Sequence, residues 1–249
     1  MSFIQIIKKI NFNLILRYIS EYCFQSQCIL CSNPAENNIS LCLACKRDLP
    51  WLTYVCFKCG QPLSTAIRFC GACLRQTPPY FRTLALFHYD DLIAHCISLL
   101  KFQKCLTLGK TFGVLMAEYL LQHYQNDIFP ECIIPLPLHE KRLKERGYNQ
   151  ALELARPIST LLKLPIDVFS CERIKATLPQ ANTLSVEERR KNVKNAFKLL
   201  LPLPYKHIAL VDDVMTTGST VAACANALMQ GGVRRVDIWC CARTGGHFL

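Results

Sequence analysis

Four Cys-x-x-Cys pairs follow one another in the first third of this 249-residue chain: Cys28/Cys31, Cys42/Cys45, Cys56/Cys59 and Cys70/Cys73. Ten residues separate Cys31 from Cys42 and ten separate Cys59 from Cys70, so the arrangement repeats with a period of 28 residues. Two residues between cysteines allow a tight knuckle turn that points both sulfurs at one cation. Two knuckles complete the tetrahedral thiolate shell that structural zinc prefers. Gly60 and Gly71, each directly after a cysteine, suit turns that need a permissive backbone. The segment has too few Leu, Val and Ile to build a core without metal, and no βαβ pattern surrounds the pairs to suggest a redox motif. Sequential pairing (28/31 with 42/45, 56/59 with 70/73) is the simplest arrangement, and interleaved pairing stays open. Cys23 lies outside the period. Cys96, Cys105, Cys132, Cys171, Cys224, Cys240 and Cys241 lack ligand spacing and read as small core residues.

Paired cysteines mean metal only in a reducing compartment, so the start of the chain matters. The opening MSFIQIIKKINFNLILRYIS is a poor secretory signal, because Lys8, Lys9 and Arg17 interrupt its apolar run and no small-residue cleavage site follows. The run is too short between charges to span a bilayer. Phe3, Ile6, Ile7, Ile10 and Leu14 fall near helical spacing, which predicts an amphipathic segment over residues 1–22. The expectation is a cytoplasmic protein with no transmembrane segment. At 51% hydrophobic residues, the chain supports one ordinary core and a small accessory module.

The formal net charge is +11, and residues 139–206 hold 14 Lys or Arg against 7 Asp or Glu, a local excess of +7. Such a stretch calls for an anionic partner. The phosphates of a small molecule and of a nucleic acid both satisfy it.

After Pro78-Pro79 the pattern changes to alternating apolar strands (81–89, 131–137, 207–211, 235–242) and amphipathic helices (91–103, 108–124, 148–162, 218–230). This predicts an α/β domain with a mostly parallel sheet flanked by helices, preceded by a small zinc-ribbon domain. The expected division is 1–22 for the N-terminal segment, 23–79 for a double zinc ribbon and 80–249 for the α/β domain.

One string within that domain carries chemistry: His207-Ile208-Ala209-Leu210-Val211-Asp212-Asp213-Val214-Met215-Thr216-Thr217-Gly218-Ser219-Thr220. A buried strand runs into two acidic residues, and a hydroxyl-rich loop then opens a helix. Open α/β sheets hold ligands at such strand ends. The loop offers backbone N–H groups at a helix N-terminus, a cradle for a phosphate dianion. The two carboxylates repel each other and have no obligatory partner nearby in sequence, and they suit a pair of vicinal hydroxyls. Taken separately, Thr217 or Ser219 is an ordinary N-cap and Asp213 an ordinary turn residue. Together they resemble the signature of the type I phosphoribosyltransferases. The resemblance implies that Asp212 and Asp213 hold the ribose hydroxyls, and that Thr216, Thr217, Gly218, Ser219 and Thr220 hold the 5′-phosphate of phosphoribosyl pyrophosphate bound with Mg²⁺.

A second string narrows this further: Ile134-Pro135-Leu136-Pro137-Leu138, then Arg142 and Arg146-Gly147-Tyr148-Asn149-Gln150. With Leu100-Lys101-Phe102, Arg173, Gln180, Leu184, Arg189, Asn192, Ala196 and Phe197, it resembles the ComF competence subfamily over roughly residues 28–243. Guanidinium forks suit pyrophosphate because each grips two oxygens at once. The resemblance implies pyrophosphate binding by Lys101, Arg142 and Arg146. It also implies a hood, a mobile loop over the site, worked by Arg173, Gln180, Arg189 and Asn192.

Phosphoribosyl transfer needs no protein nucleophile, and no residue is assigned as a catalytic base. The resemblance implies one of two functions. One is a phosphoribosyltransferase with an unidentified acceptor, acting in natural transformation on imported single-stranded DNA alongside other DNA-uptake proteins. The other is a non-catalytic, ligand-regulated module that binds single-stranded DNA on the same fold. Only Tyr148, Phe169, Phe197 and Tyr205 supply aromatic rings in the basic stretch, which is thin support for base stacking.

Overall fold

The structure is a computed structural model that describes residues 26–35, 39–176 and 195–245. The N-terminal segment 1–22 and the hood residues Gln180, Arg189 and Asn192 lie outside the described residues. The chain divides into two compact units between Leu49 and Pro50. The first holds one cysteine tetrad and helix α1 (Leu43–Asp48).

The second unit holds the other tetrad, helix α2 (Gly71–Arg75) and the α/β domain. Strands β1 (Arg82–His88), β2 (Cys132–Pro135), β5 (His207–Met215) and β6 (Arg235–Arg243) form a sheet in the order β1-β6-β5-β2, all parallel. Strands of this kind read as apolar runs because both faces are covered. Leu210 pairs with Ile238 and Ala85 with Cys240, and all four are buried. The edge beside β1 is closed by residues 50–52: the Leu52 N–H bonds the Leu86 carbonyl at 3.0 Å, and the Pro50 carbonyl accepts from His88 N–H at 2.8 Å. A capped edge offers no template for another chain.

Helices α3 (Asp91–Phe102), α4 (Leu106–His123), α6 (Gln150–Leu162) and α7 (Ser219–Gln230) match the expected helices to within two residues at each end. Besides the short helices α1 and α2 of the cysteine segments, three elements of the α/β domain are not anticipated. The short helix α5 (Glu140–Arg146) is too brief for periodicity to reveal. Strands β3 (Cys171–Arg173) and β4 (Phe197–Leu199) pair antiparallel, with three residues each. Arg173, expected in a loop, therefore ends a strand. Of the cysteines expected in the core, Cys96, Cys132, Cys171, Cys224, Cys240 and Cys241 are buried, whereas Cys105 is half-buried and Cys23 lies outside the described residues.

At the amino ends of the strands a buried ionic cluster holds the sheet together. Asp237, fully buried, accepts from Arg82 Nε at 3.0 Å, Arg235 Nε at 2.9 Å and the Tyr124 hydroxyl at 2.6 Å. Asp127 completes the cluster, 3.1 Å from Arg82 and 2.7 Å from Arg235. Burial alone would raise the Asp237 pKa. Hydrogen bonds from His207, Arg235 and Tyr124 and the charge of Arg82 outweigh it and hold the carboxyl well below the usual range. Its stabilising effect is therefore fully present above the unfolded carboxyl pKa of about 4 and is lost as pH falls further. Asp237→Ala leaves buried guanidinium groups short of a counter-charge, and at neutral pH it is expected to cost about 3–5 kcal/mol in denaturant unfolding. The gap from wild type should narrow below about pH 4.

Candidate functional site

The site begins where the sheet narrows. Strand β2 makes its last pair at Pro135↔Val211, and the Leu136 N–H then bonds the Val211 carbonyl at 2.8 Å. Strand β5 continues to Met215, still paired with β6. Asp212 and Asp213 thus lie inside a strand that was expected to end at residue 211, on the stretch that β2 no longer flanks.

Both carboxylates are buried, 8% and 3% exposed. The side-chain partners of Asp213 come from distant parts of the chain. Lys101, from the last turn of α3, forms an ion pair with Asp213 Oδ2. Gln150 Nε2, at the start of α6, donates to Asp213 Oδ1 at 3.4 Å. The Asp213 N–H donates to Asp212 Oδ1 at 2.9 Å. Burial pushes both pKa values up. For Asp213 the Lys101 ammonium prevails and holds the carboxyl below its ordinary range, while burial and the Asp213 charge keep Asp212 well above it. Lys101, expected to meet pyrophosphate, is thus placed on an acid of the same site, because burial leaves neither charge tolerable alone.

Gln150 also links the acids to the arginines, since its Oε1 accepts from Arg146 Nη1. The string Arg146-Gly147-Tyr148-Asn149-Gln150 joins α5 to α6. Gly147 (φ 85°) closes α5 in the left-handed conformation, and the Tyr148 hydroxyl donates to the Leu100 carbonyl. Asn149 caps α6 by accepting from Ala151 N–H at 2.9 Å and holds Leu136 through a 3.0 Å bond from Nδ2. The joint fixes where Arg146 and Gln150 point. The Arg146 guanidinium lies 5.7 Å from the Phe102 ring centre. Burial and the charge of Arg142 lower its pKa, while Asp213 opposes them. Arg173, 5.6 Å from the Phe197 ring, is likewise lowered by burial and by Arg142 and supported by Asp212. Arg142, Arg146 and Arg173 therefore share one electrostatic neighbourhood with the two acids.

Downstream, Thr217 and Ser219 hydroxyls lie 2.8 Å apart across Gly218, whose φ of 75° a side chain rarely adopts. Added there, a Cβ would come within 2.6 Å of Met215 Cε. Helix α7 starts at Ser219 with no side-chain cap from Gly218; the Ser219 N–H donates to Thr217 Oγ1 at 3.3 Å, and the next amides of the first turn, those of Thr220 and Val221, face no intrahelical acceptor and suit an anion. Thr216 stands before the turn, and Thr220 in the first helical turn.

The turn is held from behind by Arg243, the last residue of β6, which is 1% exposed. Its Nη1 donates to the carbonyls of Met215 (3.0 Å), Thr216 and Thr244 (3.0 Å), and its Nε donates to the Cys59 carbonyl at 2.9 Å. One guanidinium thus ties the second cysteine knuckle to the turn. Neither Arg243 nor the bridging role of Gln150 is anticipated from sequence. The available signal is a lone cation at the end of the apolar run Ile238–Ala242, at the same sheet end as the acids.

Cys28, Cys31, Cys42 and Cys45 bring their sulfurs within 4.8 Å of one another, as do Cys56, Cys59, Cys70 and Cys73. Pairing is sequential. Zinc–sulfur bonds of about 2.3 Å give a tetrahedron with edges of about 3.8 Å. Cys31 and Cys42 sulfurs are 3.6 Å apart, and Cys59 and Cys70 sulfurs 3.7 Å. Both tetrads therefore fit structural zinc. Gly60 (φ 67°) follows Cys59 as expected, and Ser32 (φ 63°) takes the equivalent place after Cys31. Gly71 starts helix α2 without a positive φ, so the permissive backbone expected there is not required.

Comparison with known proteins places these features in context. A family described as "Double zinc ribbon domain" matches residues 19–74. DNA utilization protein YhgH of Escherichia coli O157:H7 is 36% identical over 87% of this chain and 96% of its own length. Competence protein F of Haemophilus influenzae is 35% identical over 88% of this chain and 98% of its own length. Competence protein ComFC of Bacillus subtilis is 23% identical over 59% of this chain and 58% of its own. Among solved structures, the protein TT1426 from Thermus thermophilus covers 57% of this chain and 85% of its own (15% identity, TM-score 0.34). A purine phosphoribosyltransferase from Pyrococcus horikoshii covers 54% and 81% (16% identity, TM-score 0.31). Superpositions this loose carry no argument. Among the described residues, no helix is long and apolar enough to cross a membrane.

Metal analysis of the purified chain should give two zinc ions, and Cys59→Ser should remove one of them and lower the unfolding midpoint, since ribbon folding depends on metal binding. The acid pair should respond asymmetrically to neutralisation. A raised Asp212 pKa means that ionisation opposes folding once pH passes the ordinary carboxyl value of about 4, so Asp212→Asn should stabilise the ligand-free chain at neutral pH. Asp213→Asn should destabilise it, because Lys101 loses its counter-charge. Denaturant unfolding of the two variants measures both signs.

Proposed function

This chain belongs to the family of DNA utilization protein YhgH and competence protein F, and from that premise we propose that it binds phosphoribosyl pyrophosphate with Mg²⁺ at the carboxyl end of β5. In this role it is a phosphoribosyltransferase-type protein that handles imported single-stranded DNA during natural transformation, in the cytoplasm. The observation that carries the proposal is a continuous run along one strand end: a buried acid pair, an anion-ready turn beyond it and three arginines beside it.

Each part meets one part of the ligand. The 5′-phosphate rests on the amides and hydroxyls of Thr216 to Thr220 at the start of α7. The ribose hydroxyls donate to Asp212 and Asp213. Arg142 and Arg146 grip the diphosphate as forks. Lys101, already on Asp213, holds that carboxylate ionised and adds its charge to the diphosphate end. Arg173, at the end of β3, covers the ligand together with the hood residues Gln180, Arg189 and Asn192, a role that the family resemblance gives them. Magnesium suits the donor set, since hard carboxylate oxygens are its usual protein ligands and a divalent charge would let Asp212 ionise. When bound, it neutralises charge on the diphosphate. Transfer would break the bond between the anomeric carbon and pyrophosphate and form one from that carbon to the acceptor's nucleophilic atom, whose proton passes to solvent, as positive charge spreads onto the ring. The buried carboxylates favour that charge and the arginines favour the departing anion, so no protein nucleophile is needed.

Calorimetric titration tests the assignment. Arg142→Ala and Arg146→Ala should each weaken phosphoribosyl pyrophosphate about tenfold, the equivalent of one charge-assisted hydrogen bond, and leave ribose 5-phosphate nearly unchanged. Equal losses for both ligands would place the arginines elsewhere in the mechanism. Absence of binding to the wild-type chain would overturn the proposal.

A further inference from the structure

The 217–219 turn borders more space than a sugar phosphate needs. A groove of about 610 Å³ runs from Thr217, Gly218 and Ser219 along one face of α7, where Ala222, Ala223 and Ala227 form a low floor beside Asn226 and Gln230. Gln76, Pro78, Pro79 and Tyr80 line it, together with Asn195 and Phe197. The volume falls within the range of small-molecule sites, about 300–1,000 Å³.

Its chemistry differs from that of the acid pair. None of the described residues that line it is charged. Its polar groups are four side-chain amides (Gln76, Asn195, Asn226 and Gln230) together with hydroxyls, and its apolar walls are proline and aromatic rings. A diphosphate gains little from such a surface, whereas a nucleobase fits it in three respects. Amide side chains present donor and acceptor side by side and match base edges. Alanines let a flat ring approach the helix. The half-buried rings of Pro78 and Pro79 offer an apolar surface to a base face, with the buried Tyr80 and Phe197 closing the wall behind. A phosphate seated on the turn and carrying a second ester would direct that ester's nucleotide into the groove.

We propose that this groove holds one base of single-stranded nucleic acid whose backbone phosphate rests on the Thr217–Ser219 turn, so that a strand and phosphoribosyl pyrophosphate compete for the turn. The inference rests on the proposed role of the turn as a phosphate seat. It gives that seat a second, mutually exclusive occupant, and it would let the small ligand control strand release.

Fluorescence anisotropy with a labelled oligothymidylate, at fixed salt, tests it. The Asn226→Ala/Gln230→Ala double variant is suited to this because both side chains are exposed and alanine favours helix. Strand affinity should fall about tenfold in this variant for two lost hydrogen bonds, while calorimetric affinity for phosphoribosyl pyrophosphate stays within about twofold. In the wild type, phosphoribosyl pyrophosphate should displace the strand. Unchanged strand affinity in the variant, or a strand that stays bound while phosphoribosyl pyrophosphate also binds, would overturn the proposal. So would thymidine 5′-phosphate binding as tightly as the strand. If the wild type binds no phosphoribosyl pyrophosphate, the parent reading fails separately, and the groove is then judged by the strand affinity of the double variant alone.

Discussion

A single buried guanidinium sets the geometry on which the rest of the second unit depends. Arg243 ends β6 with its charge almost sealed from water and bonded to backbone carbonyls from two places remote in sequence: the Cys59 knuckle and the Met215–Thr216 segment. A buried cation is tolerable only if its donors are satisfied. The knuckle and the turn must therefore both be in place for the end of β6 to be stable. This makes a cysteine tetrad that looks like an accessory module part of the support behind the anion-ready turn, with Tyr80 and its phenol close behind Gly218.

The two ends of the parallel sheet use charge in opposite ways. At the amino ends, Asp237 and Asp127 are surrounded by Arg82 and Arg235, with Tyr124 and His207, and the charges are spent on one another. At the carboxyl ends, two acids adjoin in one strand. Only one is neutralised, by Lys101, and burial together with its charged neighbour holds the pKa of the other well above the ordinary range. Such a frustrated pair costs stability and persists where it serves a ligand. The early departure of β2 leaves β5 running past it at Asp212, which turns a core strand into a site without any irregular backbone in the acids themselves.

Features encoded by local spacing were legible in the sequence. The cysteine tetrads follow from knuckle spacing, the four sheet strands and four main helices from hydrophobic pattern, and the acids and turn from a strand running into hydroxyl residues. What escaped depends on contacts far apart in the chain. Gln150 and Asp213 are 63 residues apart, and Arg243 and Cys59 are 184 apart. No period or motif spacing reports such partners. The resemblance puts Lys101 at the site, but its ion pair with Asp213 joins two segments far apart in the chain and has no local signal. The hairpin of β3 and β4 escaped for a different reason: three-residue strands leave no alternation to detect.

The central claim is that one strand end, its acid pair and the turn beyond it together hold a single phosphorylated ribose. A crystal structure of the zinc-loaded chain with phosphoribosyl pyrophosphate and Mg²⁺ tests this most directly. The 5′-phosphate is expected on the Thr216–Thr220 turn, the ribose hydroxyls within hydrogen-bond reach of Asp212 and Asp213, and the diphosphate against Arg142 and Arg146. A ligand bound away from β5, or one whose diphosphate rather than its 5′-phosphate occupies the turn, would contradict it.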